Sequence, residues 1–216
     1  MTFQNYKILL YSMTYLLFLV LLWLSKEMKG IRLVNKNGFV SNPITLIVLH
    51  LGGIVLFGIL PILSSLPPSI ILYDMPSQGS LATWTTFLIL TAFIIVASRM
   101  AKTKFDEVAR SEAPVHTTFT MEFITGYFFV RILFITAYEC WFRGYLLNDC
   151  ILAYGTPLAI LINVSLYALL HVVNGKDEML ACIPFGLLLC VLCIWQGAVW
   201  PAVVIHLGLT IPYDVS

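Results

Sequence analysis

Four ionisable side chains lie inside stretches of sequence that are otherwise apolar: Glu139 and Arg143, then His171, then His206. An ionisable group at membrane depth costs several kcal/mol unless it is paired, so each is a candidate for function. Glu139 and Arg143 are four residues apart, which puts them on one face of a helix and within pairing reach. Alone, Arg143 could simply neutralise a structural Glu139 or snorkel to the interface, and either histidine alone could be a hydrogen-bonded packing residue. Together, one carboxylate and two imidazoles can activate a water molecule or bind a metal ion. Two histidines and a carboxylate are a legitimate set for Zn²⁺ or Fe²⁺. The H-E-x-x-H spacing of zinc hydrolases is absent, and we expect neither a metal nor a cofactor.

The elements that position these groups are built for lipid. Of the 216 residues 60% are hydrophobic and 11% charged, and the mean hydropathy is +0.93; an ordinary soluble domain carries roughly 25% charge. Twelve Lys+Arg and eleven Asp+Glu cannot coat a globule of this size, and in water its exposed apolar surface would drive aggregation. A soluble enzyme, a nucleic-acid binder with a basic face and a disordered scaffold are all excluded. The formal net charge of +1 gives no steering toward polyanions.

A helix rising about 1.5 Å per residue needs about 20 apolar residues to cross about 30 Å of hydrocarbon. Candidate spans are 8–25, 43–63, 82–98, 119–148, 157–173, 179–195 and 198–213. Breaks are expected at 26–38, around Pro67, Pro68, Asp74 and Pro76, at 99–116, at 155–157, at 174–178 and at 196–197. The first apolar run is long for a signal peptide and has no small-residue cleavage site, so it is expected to be a retained anchor. Lys26, Lys29, Arg32 and Lys36 follow span one, and Arg99, Lys102, Lys104 and Arg110 follow span three. Basic loops stay cytoplasmic, which puts the N-terminus outside and the C-terminus inside. Cys140, Cys150, Cys182, Cys190 and Cys193 lie in or near apolar runs and read as small packing residues, not as a disulfide framework.

The fourth span is too long for a simple crossing: thirty helical residues reach about 45 Å, so it must tilt, bend or protrude. If spans four and five form a hairpin turning near residue 153, Glu139 lies about 21 Å and His171 about 27 Å from the turn. His206 lies about 12 Å from the turn joining spans six and seven, on the same side, so the three could converge. Arg131 and His50 are expected to serve bundle packing, and residues 102–112 with His116 to form a solvated loop or surface helix.

At the same residues the chain resembles the CPBP intramembrane proteases, also called the Abi or CAAX-protease family. The family motif Glu-Glu-x-x-x-Arg-Gly appears as Tyr138-Glu139-Cys140-Trp141-Phe142-Arg143-Gly144. Phe-x-x-x-His appears as Tyr167-Ala168-Leu169-Leu170-His171, and His-x-x-x-Asn as His206-Leu207-Gly208-Leu209-Thr210. Pro184-Phe185-Gly186 and Gly197-Ala198-Val199-Trp200-Pro201 stand between the last two, as an apolar-Phe-x-Gly helix and a small-residue turn do in the family. The resemblance covers residues 119–213 and implies a glutamic-type intramembrane endopeptidase. In such an enzyme a Glu and a His activate water while a second His and an Asn stabilise the oxyanion. It assigns Glu139, His171 and His206 to catalysis, with Arg143, Thr210 and Tyr138 in supporting places.

Two positions depart from the pattern. Tyr138 stands where the family has its first Glu, and adjacent helical residues point about 100° apart. Thr210 replaces the Asn, offering one hydroxyl donor where an amide offers two, or bonding back to its own helix. The expectation is an all-α, polytopic bundle of about seven spans with N-terminal helices over 1–118 and a CPBP-like four-helix core over 119–216. Its partners would be the bilayer and a membrane-tethered protein or peptide substrate, with no nucleic acid, in the cytoplasmic membrane of a bacterium. Alternatives are a non-catalytic relative with an immunity or binding role, and a metal-dependent membrane hydrolase.

Overall fold

The computed structural model describes residues 3–27, 43–64, 80–111 and 121–215. Within them lie seven helices and no strand. Helix α1 is Phe3–Glu27, and α2 covers residues 43–63 with a π-helical stretch at Val55–Ile59. Helix α3 is Ser80–Ser111, α4 is Met121–Tyr154, α5 is Thr156–His171, α6 is Lys176–Gln196 and α7 is Trp200–Val215. Four stretches are long and apolar enough to cross a membrane: Tyr6–Ser25, Thr45–Leu63, Met121–Tyr154 and Lys176–Gln196. Thr83–Val96, Thr156–His171 and Trp200–Ile211 are shorter apolar helices. Every expected span is a helix, and the fold is an all-α membrane bundle. Most of the first basic loop, the segment with Pro67, Pro68, Asp74 and Pro76, and His116 fall outside the described residues.

Of the expected break at 99–116, residues 99–111 are helical and 112–116 lie outside the described residues. Helix α3 runs unbroken through Arg99, Lys102, Lys104 and Arg110 to Ser111. Ala, Lys, Glu and Arg are good helix formers, and no Gly or Pro interrupts residues 80–111. The charges therefore end the apolar stretch and leave the helix intact.

The hairpin turn between α4 and α5 falls at Gly155, whose φ of +80° suits a residue without Cβ. Pro157 in the first turn of α5 then fixes the new helix start. Helix α5 packs along α6 and the end of α4, α3 along α7, α2 along the first half of α4, and α1 along α2. Three polar ties join α1 to the rest: Lys7 Nζ to Asp149 at 2.9 Å, Tyr11 hydroxyl to Asp149 at 2.6 Å, and Tyr15 hydroxyl to the Leu166 carbonyl at 2.9 Å. Beside them Trp141 is fully buried against Tyr11, Tyr15 and Phe57. Arg131 and His50 serve packing as expected: Arg131 Nη1 meets His50 Nε2 at 2.8 Å, and the His50 ring stacks on Phe134. All five cysteines are free, four of them buried.

Helix α4 departs from α geometry over Cys140–Leu146, a π-helical stretch that begins one residue after Glu139. Its Phe142 carbonyl accepts from the Leu147 N–H, five residues on, and from Asn163 Nδ2 of α5 at 2.6 Å. The two lone pairs of that oxygen make both bonds compatible. Asn163 in turn accepts from the Cys190 thiol at 3.3 Å, so α4, α5 and α6 are pinned together at the level of the charged residues.

Candidate active site

Glu139 and Arg143 are both 0% exposed. Arg143 Nη1 lies 3.1 Å from Glu139 Oε2, and His206 Nδ1 lies 2.5 Å from Glu139 Oε1. One carboxylate oxygen is therefore hydrogen-bonded to an imidazole from α7, and the other is ion-paired, without a hydrogen bond, to a guanidinium on the same helix. Removing such charges from water costs several kcal/mol per ion unless the pairing is close. The other face of Arg143 lies on Tyr167, with the guanidinium carbon 4.4 Å from the ring centroid, a cation–π contact strengthened by desolvation.

That contact depends on Gly186 of α6. A Cβ there would stand 3.1 Å from Tyr167 Cδ1 and 3.6 Å from Arg143 Nη2, so the glycine lets α6 close over the pair. Helix α7 is seated in the same way. A Cβ on Gly208 would come within 2.6 Å of Ile94 Cγ1, which sets how near α7, and His206 with it, approaches α3.

His171 ends α5 with its side chain 24% exposed. Its Nδ1 meets Glu178 Oε1 of α6 at 2.8 Å, and its ring lies 5.1 Å from the Tyr167 centroid. Tyr167 and Phe185 stand between the two histidines, 6.2 Å apart, with Phe185 5.8 Å from the His206 ring. The structure thus brings Glu139, Arg143 and His206 into direct contact. It gives His171 a separate carboxylate, Glu178.

Thr210 donates its hydroxyl to the His206 carbonyl at 2.7 Å, so it bonds back to its own helix. Tyr138 is 4% exposed, with its ring 5.9 Å from His206 and 6.0 Å from Tyr167. Its buried hydroxyl has no hydrogen-bond partner among the described residues. Among those residues no three of His, Cys, Asp and Glu are grouped to hold a metal ion. The candidate ligands Glu139, His171 and His206 do not meet as a set, because His171 is turned to Glu178.

Sequence reasoning missed two participants. Asn163 was visible as an amide in the middle of an apolar helix, where a buried polar group needs partners. Glu178 was hidden among the charges of the 174–178 break. Its relation to His171 depends on how tightly the turn at Gly175, with φ +124°, folds α6 back on α5.

Helices that cross a membrane around a buried Glu–Arg–His cluster define an integral membrane protein with a polar centre inside the bundle. Residues 120–211 match the family model described as type II CAAX prenyl endopeptidase, Rce1-like. Over this segment, which spans α4 to α7, the chain is similar to the CAAX-protease (CPBP) family, whose members are generally membrane proteases. No curated protein and no solved structure matched the chain.

Proposed function

We propose that this protein is an intramembrane endopeptidase that hydrolyses a peptide bond in a membrane-associated protein or peptide. Glu139 and His171 activate water, and His206, which must carry a proton on both ring nitrogens to donate beyond Glu139, supports the oxyanion. The observation that carries this reading is the fully buried Glu139 carboxylate held by Arg143 at 3.1 Å and His206 at 2.5 Å. Arg143 sets a cation beside the carboxylate inside the bundle, and the carboxylate in turn holds the His206 ring. A donor aimed at a developing oxyanion contributes a few kcal/mol. The Thr210 hydroxyl, already donated to its own helix, adds little to that work, whereas the Tyr138 hydroxyl is a buried donor beside His206.

The substrate is membrane-tethered and approaches through the bilayer, in keeping with a core over 119–216 preceded by further helices over 1–118. The basic residues after α1 and along the second half of α3 favour a cytoplasmic side for both, with the N-terminus outside. A bacterial cytoplasmic membrane suits that arrangement. The test is cleavage of a panel of lipid-anchored peptides by the protein in liposomes, read by mass spectrometry. Wild type should cleave at one bond, and folded Glu139→Gln, His171→Ala and His206→Ala variants should not; full activity in Glu139→Gln would remove Glu139 from the chemistry.

A second reading is a non-catalytic relative with a binding or immunity role. It is favoured by the engagement of both Glu139 oxygens and by Tyr138 standing where the family has its first Glu. An unchanged cellular phenotype in folded His171→Ala and His206→Ala variants would select it.

A further inference from the structure

Among the described residues two Glu–His pairs form, and only one of them lies within the residues that the sequence motifs single out. Glu139–His206 is the buried pair. The other joins His171 at the end of α5 to Glu178 in the first turn of α6, across the tight turn Val172–Asn174 and Gly175. We infer that Glu178 is a positioning residue for hydrolysis, which fixes the His171 imidazole so that its second ring nitrogen serves as the base acting on water. This deepens the hydrolase reading and rests on it.

The geometry assigns the two pairs different work. Glu139 accepts from His206 on one oxygen and faces Arg143 with the other, so its part in activating water is to orient it, while the proton goes to His171. His171 has one nitrogen, Nδ1, at 2.8 Å from Glu178 Oε1. An ionised carboxylate there makes Nδ1 the protonated nitrogen and leaves Nε2 with its lone pair, with the Cys182 thiol as the ring's other polar neighbour. The ring is also braced against Tyr167, at 5.1 Å, the same ring that carries the Arg143 guanidinium on its face. The orienting carboxylate stands in the charged first turn of α6, beside Lys176 and Asp177, its side chain 49% exposed, while His171 is only 24% exposed. A water can therefore reach the imidazole without crossing the apolar interior. In the step itself, a water proton passes to His171 Nε2 and the hydroxide oxygen bonds to the peptide carbonyl carbon. The same proton then goes to the departing amine as the C–N bond breaks.

The bland alternative is a clasp. Glu178 sits at the start of α6, where a carboxylate suits the helix dipole, and His171 at the end of α5, where an imidazole does. A clasp holds the turn closed and does nothing to the tautomer of the ring.

The experiment uses the full chain in lipid nanodiscs with ¹⁵N-labelled histidine, in wild type, Glu178→Ala and Glu178→Gln, together with thermal unfolding and cleavage kinetics on the peptide found for wild type. The inference expects His171 to carry its proton on Nδ1 in wild type and to become a mixture of tautomers in Glu178→Ala. It expects kcat in Glu178→Ala to fall roughly 10²-fold with KM unchanged, and part of the loss to return in Glu178→Gln, which can still accept from Nδ1. A Glu178→Ala protein that melts earlier but keeps the wild-type tautomer and kcat would overturn it in favour of the clasp. The nuclear resonance result stands without any turnover, so a wild-type protein that cleaves nothing would sink the hydrolase reading and still decide what Glu178 does to His171. Loss of cleavage in His171→Ala with none in Glu178→Ala would keep the hydrolase and discard the role of Glu178.

Discussion

Oε1 of Glu139 and Nδ1 of His206 lie 2.5 Å apart although 67 residues separate them in the chain. The bond joins the middle of α4 to the last helix and makes the two side chains one unit. Groups that act as one unit lose their effect together. Glu139→Gln and His206→Ala should each abolish cleavage, and the double variant should be no worse than either alone. Multiplicative losses, measured as kcat/KM in liposomes, would mean that the two act separately.

Arg143 is the partner whose removal should cost most stability. Arg143→Leu leaves the Glu139 carboxylate 0% exposed without its cation, and breaking a buried pair costs about 3–5 kcal/mol. Arg143→Lys should recover part of that, since it restores charge but neither the planar fork nor the stacking on Tyr167. Replacing both residues with leucine should be milder than Arg143→Leu alone. Thermal unfolding in detergent reads all three.

Asn163 should control the π-helical stretch. Its Nδ2 donates to Phe142 O at 2.6 Å in a site with no exposure. Asn163→Leu removes that bond and should cost about 1–3 kcal/mol. It should also raise amide exchange over Cys140–Leu146 more than elsewhere in α4. Uniform exchange across α4 would show that the stretch does not depend on this amide.

The close approach of α7 to α3 gives a packing test away from the charges. Gly208→Ala places a methyl 2.6 Å from Ile94 Cγ1, and overpacking of this kind costs about 1–3 kcal/mol. Because His206 is two residues away, the same change should weaken its bond to Glu139 and lower kcat. Gly208→Ala combined with Ile94→Ala should restore both stability and turnover. Rescue of stability without turnover would separate the helix approach from the site.

Much of this architecture was legible because lipid imposes a simple rule: an apolar run must be a helix, and a charge within it must find a partner. That rule located α1 to α7 and pointed to Glu139, Arg143, His171 and His206 before any coordinates. It left residues 102–112 open between loop and helix, and the backbone, with no Gly or Pro to stop it, runs through them as helix to Ser111. Partner choice was the other hidden quantity. Depth arithmetic put His171 near Glu139, but depth along a helix says nothing about rotation around it. The turn at Gly175 brings Glu178 to His171 first. The π-helical stretch was equally hidden, since it depends on an amide from α5 meeting one carbonyl of α4.

The central claim, that Glu139, His171 and His206 serve one hydrolytic reaction, is tested most directly by cleavage in H₂¹⁸O. The protein is reconstituted in liposomes with a membrane-tethered peptide, and the new C-terminal carboxylate is weighed. One ¹⁸O atom should appear in the wild-type product. None should form with folded Glu139→Gln, His171→Ala or His206→Ala protein. Labelled product released by these variants at the wild-type rate would contradict the account.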